Sequence, residues 1–175
     1  VIAKQLGAPH TIARVRDPEL LLEKNVELYP LIEANSSSIS KGIIARTLHG
    51  DDPTQLYNLL KTGIHEDGSI YFKESQNYAN YQVYCVYALY VLDAPELVKA
   101  TDYLASMIHE NGSFASSWDE ELDITGWVVE ALSLVDENKY QSIIDQADQY
   151  IKEHLADDHY DGGYGGNANT QSSVL

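Results

Sequence analysis

The chain has 175 residues, 11 of them basic and 27 acidic, for a net charge of −16, and 44% are hydrophobic. That is enough apolar material for a core and unlike a disordered chain, while so acidic a chain lacks the basic footprint that nucleic acid or an anionic membrane demands. A lone cysteine, Cys85, excludes an intramolecular disulfide and a multi-cysteine metal site, and the longest apolar run, residues 83–92, is too short for a transmembrane segment.

In chain order, Asp17-Pro18-Glu19 opens the first predicted helix, near 17–34. Ser37 leads a second, roughly 37–49. Asp52-Pro53, with Gln55 at the third helical position, opens one near 53–63 that stops at IHEDGS (64–69). Asn80 leads 80–92, and Asp93 with Glu96 leads 94–108, which stops at IHENGS (108–113). Asp123 leads 123–135, Asn138 with Gln141 leads 139–155, and Asn169 begins a last helix. No strand-like alternation persists, so the expected class is all-α.

Two landmarks recur in step. The glycine hexamer returns after 44 residues, with a looser copy, HYDGGY, at 159–164. Ser37, Asn80, Asp123 and Asn169 are spaced 43, 43 and 46 residues apart, each with the chemistry of a helix N-cap. Behind them Ile43, Val86, Val129 and Leu175 align, then Ala45, Ala88 and Ala131, then Leu48, Val91 and Leu134. A shared period with a shared apolar register describes a single helical-repeat domain over 1–175, with units near 17–50, 51–92, 93–135 and 136–175. Each helix pair must stack on its neighbours to bury its apolar face.

The segments DGSIYF…NYQVYCVYALYVL, NGSFASSWDEELDITGWVVEALSLV and DGGYGGNANTQSSVL resemble the α/α-toroid superfamily of terpenoid cyclases and protein prenyltransferases. They are most similar to the squalene-cyclase-like repeat region of Gram-positive cell-surface proteins. The resemblance covers about 17–175 and implies antiparallel helical hairpins arranged as part of a ring. A full ring of six hairpins at this repeat length needs roughly 270 residues, so about four hairpins are expected here, an excerpt of a longer protein. Cyclase repeats carry a Gln shortly before the Gly. Ile64 and Ile108 stand in its place.

Candidate chemistry follows from both readings. In ELDITG (121–126), Asp123 matches the proton-donating acid of class II terpene cyclases, with Glu121 and Thr125 as neighbours and Ile124 where that motif has an acid. The same Asp123 also reads as an N-cap. Asp157, Asp158 and Asp161 spell a DDxxD magnesium motif, but Gly162 and Gly163 point to a solvated loop. His65, His109 and His159 recur once per unit, too far apart in a stacked array to share one metal. No cofactor is implied.

The aromatics are the most informative surface feature. Tyr78, Tyr81, Tyr84, Tyr87 and Tyr90 fall every third residue and so wrap around a helix, some expected in the core and others on a cavity or solvent. Tyr78, Tyr81, Tyr84, Trp118 and Trp127 are the expected ligand-binding residues of an aromatic concave face, suited to a small molecule, a carbohydrate or a protein. The leading expectation is a non-catalytic extracellular or cell-wall binding or display domain. The alternatives are an isoprenoid cyclase-like enzyme with Asp123 as general acid and a structural spacer between surface domains. Self-association through an uncapped helical edge is also expected.

Overall fold

The computed structural model describes residues 35–116 and 122–154, all within the unit spanning Ile32–Leu175. Five helices account for most of them: α1 (Ser36–His49), α2 (Thr54–Lys61), α3 (Ala79–Val91), α4 (Leu97–Ser106) and α5 (Leu122–Glu153). No strand occurs among the described residues; a single isolated bridge joins Ile64 and Ile70. The all-α expectation therefore holds. α5 is interrupted at Asp136 (φ −166°, ψ 87°), which divides it into limbs 122–135 and 137–153. The helices predicted at 17–34 and from Asn169 lie outside the described residues.

The repeat is visible in where helices begin. α1, α3 and α5 start at residues 36, 79 and 122, two steps of 43. Ser37, Asn80 and Asp123 each take the second helical position rather than the cap. Asn35 caps α1, its Oδ1 accepting from the Ser38 N–H at 3.1 Å, and Tyr78 precedes α3 without a side-chain cap. Asn35 to Ser38 are all good cap residues, so composition alone could not choose among them; burial of Ser36 and Ser37 draws both into the helix.

Of the second helices, α2 and α4 are shorter than expected, and all three begin differently. Asp52 Oδ1 accepts from the Thr54 N–H at 2.9 Å, and Asp136 rather than Asn138 caps the second limb of α5, taking the Lys139 N–H at 3.0 Å. Glu96 does not close a capping box with Asp93. It receives the Tyr57 hydroxyl at 2.7 Å, linking one unit to the next. Burial, followed by that carboxylate, pushes the Tyr57 phenol up to about 12.

α1 packs beside α3, and α3 beside α5; α2 folds back on α1, and α4 on α3. The second limb of α5 meets α4 through Tyr140, whose hydroxyl donates to Asp102 at 2.8 Å, beside the Lys139–Asp102 ion pair. The aligned apolar positions divide into two kinds. Ile43, Val86, Ala88 and Ala131 are buried, and Ala45 and Val129 half-buried. Leu48 and Leu134, 74% and 45% exposed, face outward with the half-buried Val91. The core line runs instead through Ile39, Gln82 and Thr125 and through Ser40, Val83 and Gly126, buried in all three helices.

Each IHE(D/N)GS segment forms the same turn. The backbone N–H of His65 donates to Ser69 O and that of His109 to Ser113 O, both at 2.9 Å. Asp67 and Asn111 cap their serines identically, taking the backbone N–H and hydroxyl of Ser69 and Ser113. Gly68 (φ 95°) and Gly112 (φ 87°) occupy the left-handed region that L side chains avoid. A second reason for glycine is contact. A Cβ on Gly68 would run into the Lys99 carbonyl on α4, and one on Gly112 into the Gln146 carbonyl on α5. Every turn thus abuts the second helix of the following unit.

Gln82 locks that junction from the first-helix layer. Its Oε1 accepts from the Ile70 N–H at 3.0 Å, and its Nε2 donates to Gly68 O at 3.0 Å and to Ala100 O at 3.2 Å. One repeat later Thr125 Oγ1 accepts from the Phe114 N–H at 3.0 Å. Gln82 thus ties the turn before its own helix to the second helix of the following unit.

Two predictions follow from these contacts. Gly112→Ala should lower unfolding free energy by about 2–4 kcal/mol, strain and backbone collision combined, while Gly50→Ala, left-handed but facing open space, should cost only about 1 kcal/mol. Equal losses in urea unfolding would refute the close approach. Gln82→Leu should cost about 2–3 kcal/mol, because it strands buried backbone groups at Ile70 and Gly68; a change below 1 kcal/mol would show that the amide does not hold the junction.

Candidate functional site

The first helices present one stripe away from the second-helix layer. Positions separated by four, seven and eleven residues share a helical face, and 84 lies about 200° around the helix from the core-facing Gln82. The 43-residue period lines this stripe up across α1, α3 and α5 in four rows: Ser37, Asn80 and Asp123; Lys41, Tyr84 and Trp127; Ile44, Tyr87 and Glu130; Leu48, Val91 and Leu134.

The second row is in contact along its length. The Lys41 ammonium sits 3.9 Å from the centroid of Tyr84, whose ring is 5.7 Å from that of Trp127 at an interplanar angle of 58°. Tyr87 packs edge-on to Tyr84 at 6.3 Å. Its hydroxyl lies 2.7 Å from Glu130 Oε2 and 2.9 Å from the Trp127 carbonyl, two acceptors for one proton. Burial and then the Glu130 carboxylate push the Tyr87 phenol far above its ordinary value. Tyr84 is raised too, by burial and by the field of Asp123. A cation over a ring face and tilted aromatic pairs are each modestly stabilising; together they hold the rings in defined orientations.

Among the expected ligand-binding residues, the structure brings Tyr84 and Trp127 together. Tyr78 precedes α3 and is exposed, and Tyr81 is half-buried with its carbonyl taking the Cys85 thiol at 3.3 Å. Among the described residues the ring contacts of Tyr84 do not extend to Tyr78 or Tyr81. None of the five tyrosines from 78 to 90 is fully buried; Tyr84 and Tyr87 pack half-buried against the core whose centre Val83, Val86 and Leu89 fill, and Tyr78 and Tyr90 are exposed. Trp118, Asp157, Asp158, Asp161 and His159 lie outside the described residues.

Asp123 lies in the first turn of α5, its Oδ1 accepting from the Ile124 N–H at 3.0 Å, and stands at the head of the aromatic stripe. His65 stacks on Tyr71 at 4.1 Å with Nε2 3.2 Å from the Tyr71 carbonyl. No group of three or more His, Cys, Asp or Glu is placed to hold a metal among the described residues. Cys85 is fully buried, and burial pushes its thiol up to about 11 despite the nearby Ser40 and Ser36 hydroxyls, which suppresses thiolate chemistry. Lys41 and Glu130 were not anticipated, and Tyr87 stood only in the tyrosine row, not among the expected ligand-binding residues. Extending the repeat register from the apolar positions to their neighbours four and seven residues along the helix would have found them.

No family model matches the chain, and neither a curated protein nor a solved structure matches it significantly. No helix among the described residues is long and apolar enough to cross a membrane.

The phenols of this face predict the alkaline limit of stability. A raised phenol contributes stability that is complete below the ordinary tyrosine value of 10.0 and is lost as pH rises toward the folded value. Unfolding free energy should therefore begin to fall near pH 9, where the Cys85 thiol would ionise in the unfolded chain, and fall more steeply above about pH 10, where the phenols follow. Tyr87→Phe should cost about 1 kcal/mol at neutral pH and make the alkaline fall shallower. An unchanged alkaline slope in pH-resolved urea unfolding would contradict the burial of that hydroxyl.

Proposed function

We propose that the chain is a non-catalytic binding or display domain of an α/α-toroid-type array, capturing a ligand on the aromatic face of its first helices. The observation that carries this is the Lys41–Tyr84–Trp127 row. One repeat position carries a cation and two rings that touch across three helices, each ring half-buried against the core and partly open on its outer side. Side-by-side first helices at a constant 43-residue step, each backed by a second helix, support the toroid arrangement and its concave inner face. The extracellular or cell-wall location rests on the resemblance of the repeats to those of Gram-positive surface proteins.

Asp123 at the head of the same face keeps the cyclase-like alternative specific enough to test. Binding is measured by tryptophan fluorescence across a panel of oligosaccharides and short peptides. Saturable binding by the native chain, weakened at least tenfold in Tyr84→Leu and little affected by Asp123→Asn, is the expected result. Turnover of squalene or an isoprenoid diphosphate that disappears in Asp123→Asn would replace binding with catalysis.

A further inference from the structure

The junction that stacks the units has two sides, a glycine turn that is given and a second helix that receives it. Gly68 meets the Lys99 carbonyl on α4, and Gly112 meets the Gln146 carbonyl on α5. Around these carbonyls the two receiving helices match position for position. Ala100 and Ala147 follow them, both buried, and Tyr103 and Tyr150 stand one helical turn further on, half-buried and buried. Three residues before each carbonyl, Glu96 and Ile143 are half-buried.

α2 has the same place for a turn. The two turns lie 44 residues apart, and 44 residues before Lys99 is Gln55. Leu56 then corresponds to Ala100, Leu59 to Tyr103 and Asp52 to Glu96. At all three α2 is the more open: Leu56 is half-buried where Ala100 is buried, and Asp52 and Leu59 are exposed where Glu96 and Tyr103 are half-buried. Leu59 exposes 43% of its surface, an apolar side chain at the centre of the receiving face. The larger side chain at Leu56 does not block that face. It fills the space beside Gly42 on α1, where α3 carries Cys85.

Donors and receivers pair off inside the chain with one of each left over. Turn 64–69 is received by α4 and turn 108–113 by α5, so neither lies against α2. The sequence holds one further copy of the turn, HYDGGY (159–164), with Asp161-Gly162 in the place of Asp67-Gly68 and Asn111-Gly112; it lies outside the described residues. α2 belongs to the first described unit and this turn follows the last, so a second copy of the chain completes the pair. Charge agrees. Thr54–Lys61 carries one lysine and no acid in a chain of net charge −16, while Asp157, Asp158 and Asp161 make the incoming segment acidic.

We propose that copies of this chain join head to tail, the Asp161-Gly162 turn of one seating on α2 of the next, with Gly162 against the Gln55 carbonyl and beside Leu59. The contact is heterologous, so each pair keeps one unused donor and one unused receiver, and assembly grows until it closes. It gives the expected self-association a specific edge, on the second-helix layer and independent of the aromatic face.

Sedimentation of the full chain from about 1 μM to about 1 mM tests it. The weight-average mass should rise above that of the monomer with concentration. Leu59→Glu, at an exposed site and checked by circular dichroism, should weaken association about tenfold or more, and Gly162→Val should do the same by placing a side chain between turn and carbonyl. Leu48→Asn, at a more exposed leucine on the first-helix layer, should leave association unchanged. Each weakened variant retains one intact half, so an equimolar mixture of Leu59→Glu and Gly162→Val should form a one-to-one complex that neither forms alone. A monomer at every concentration would overturn the proposal, and a loss of urea stability in Leu59→Glu would then assign α2 to the chain's own 17–34 segment. Association that survives Leu59→Glu would overturn the site. Association that survives Gly162→Val would overturn the occupant and point to an α2–α2 contact. No complex in the mixture would overturn the head-to-tail arrangement.

Discussion

The close approach of each glycine turn to the next unit's second helix is the constraint on which the architecture depends. Gly68 against Lys99 and Gly112 against Gln146 bring backbone against backbone, with no room for a side chain between them. A contact of that kind sets the distance between units more strictly than apolar side chains can, because side chains repack and a carbonyl does not. Gln82 and Thr125 then tie the residues after the turns, Ile70 and Phe114, to the first-helix layer. Their hydrogen bonds answer backbone groups that would otherwise be buried unpaired.

Polar contacts between units follow a shared scheme around that junction. Tyr57 reaches Glu96, Tyr87 reaches Glu130 and Tyr140 reaches Asp102, each a phenol donating to a carboxylate about one repeat away. The ring fills space between helices while the hydroxyl finds a charged acceptor at the rim, so area and hydrogen bond are gained by one side chain. The scheme uses three of the chain's 13 tyrosines, at carboxylates drawn into the contacts between units. Lys139 adds an ion pair at one of them, Asp102.

The same spacing that stacks the units lines up their outward residues. Once α1, α3 and α5 begin 43 residues apart, whatever stands at the sixth helical position of one lies beside its counterparts. Lys41, Tyr84 and Trp127 are chemically different yet occupy one structural position, which lets an array present a graded surface while its core stays regular. Comparable variation in the core is limited: Ile39, Gln82 and Thr125 differ, but each is buried, and the two polar members have their own backbone partners.

The sequence by itself determined the helical class, the period and the turn. Gly68 and Gly112 in near-identical hexamers and the in-phase Ile43, Val86, Ala88 and Ala131 are local or periodic signals that need no knowledge of neighbours. Helix starts were legible only to within three residues; at α1, Asn35, Ser36, Ser37 and Ser38 are equivalent as caps until packing selects one. The aromatic face was half legible. Tyr84 and Trp127 stood out as rings, but only the tertiary structure showed that they touch, that Lys41 lies over one of them, and that Tyr78 and Tyr81 belong elsewhere. It also decided that Leu48 and Leu134 face outward though they share the core's period. Periodicity fixes which residues are equivalent, whereas which side of a helix is covered depends on the angle at which its neighbours pack, and that angle is set by contacts distant in the chain.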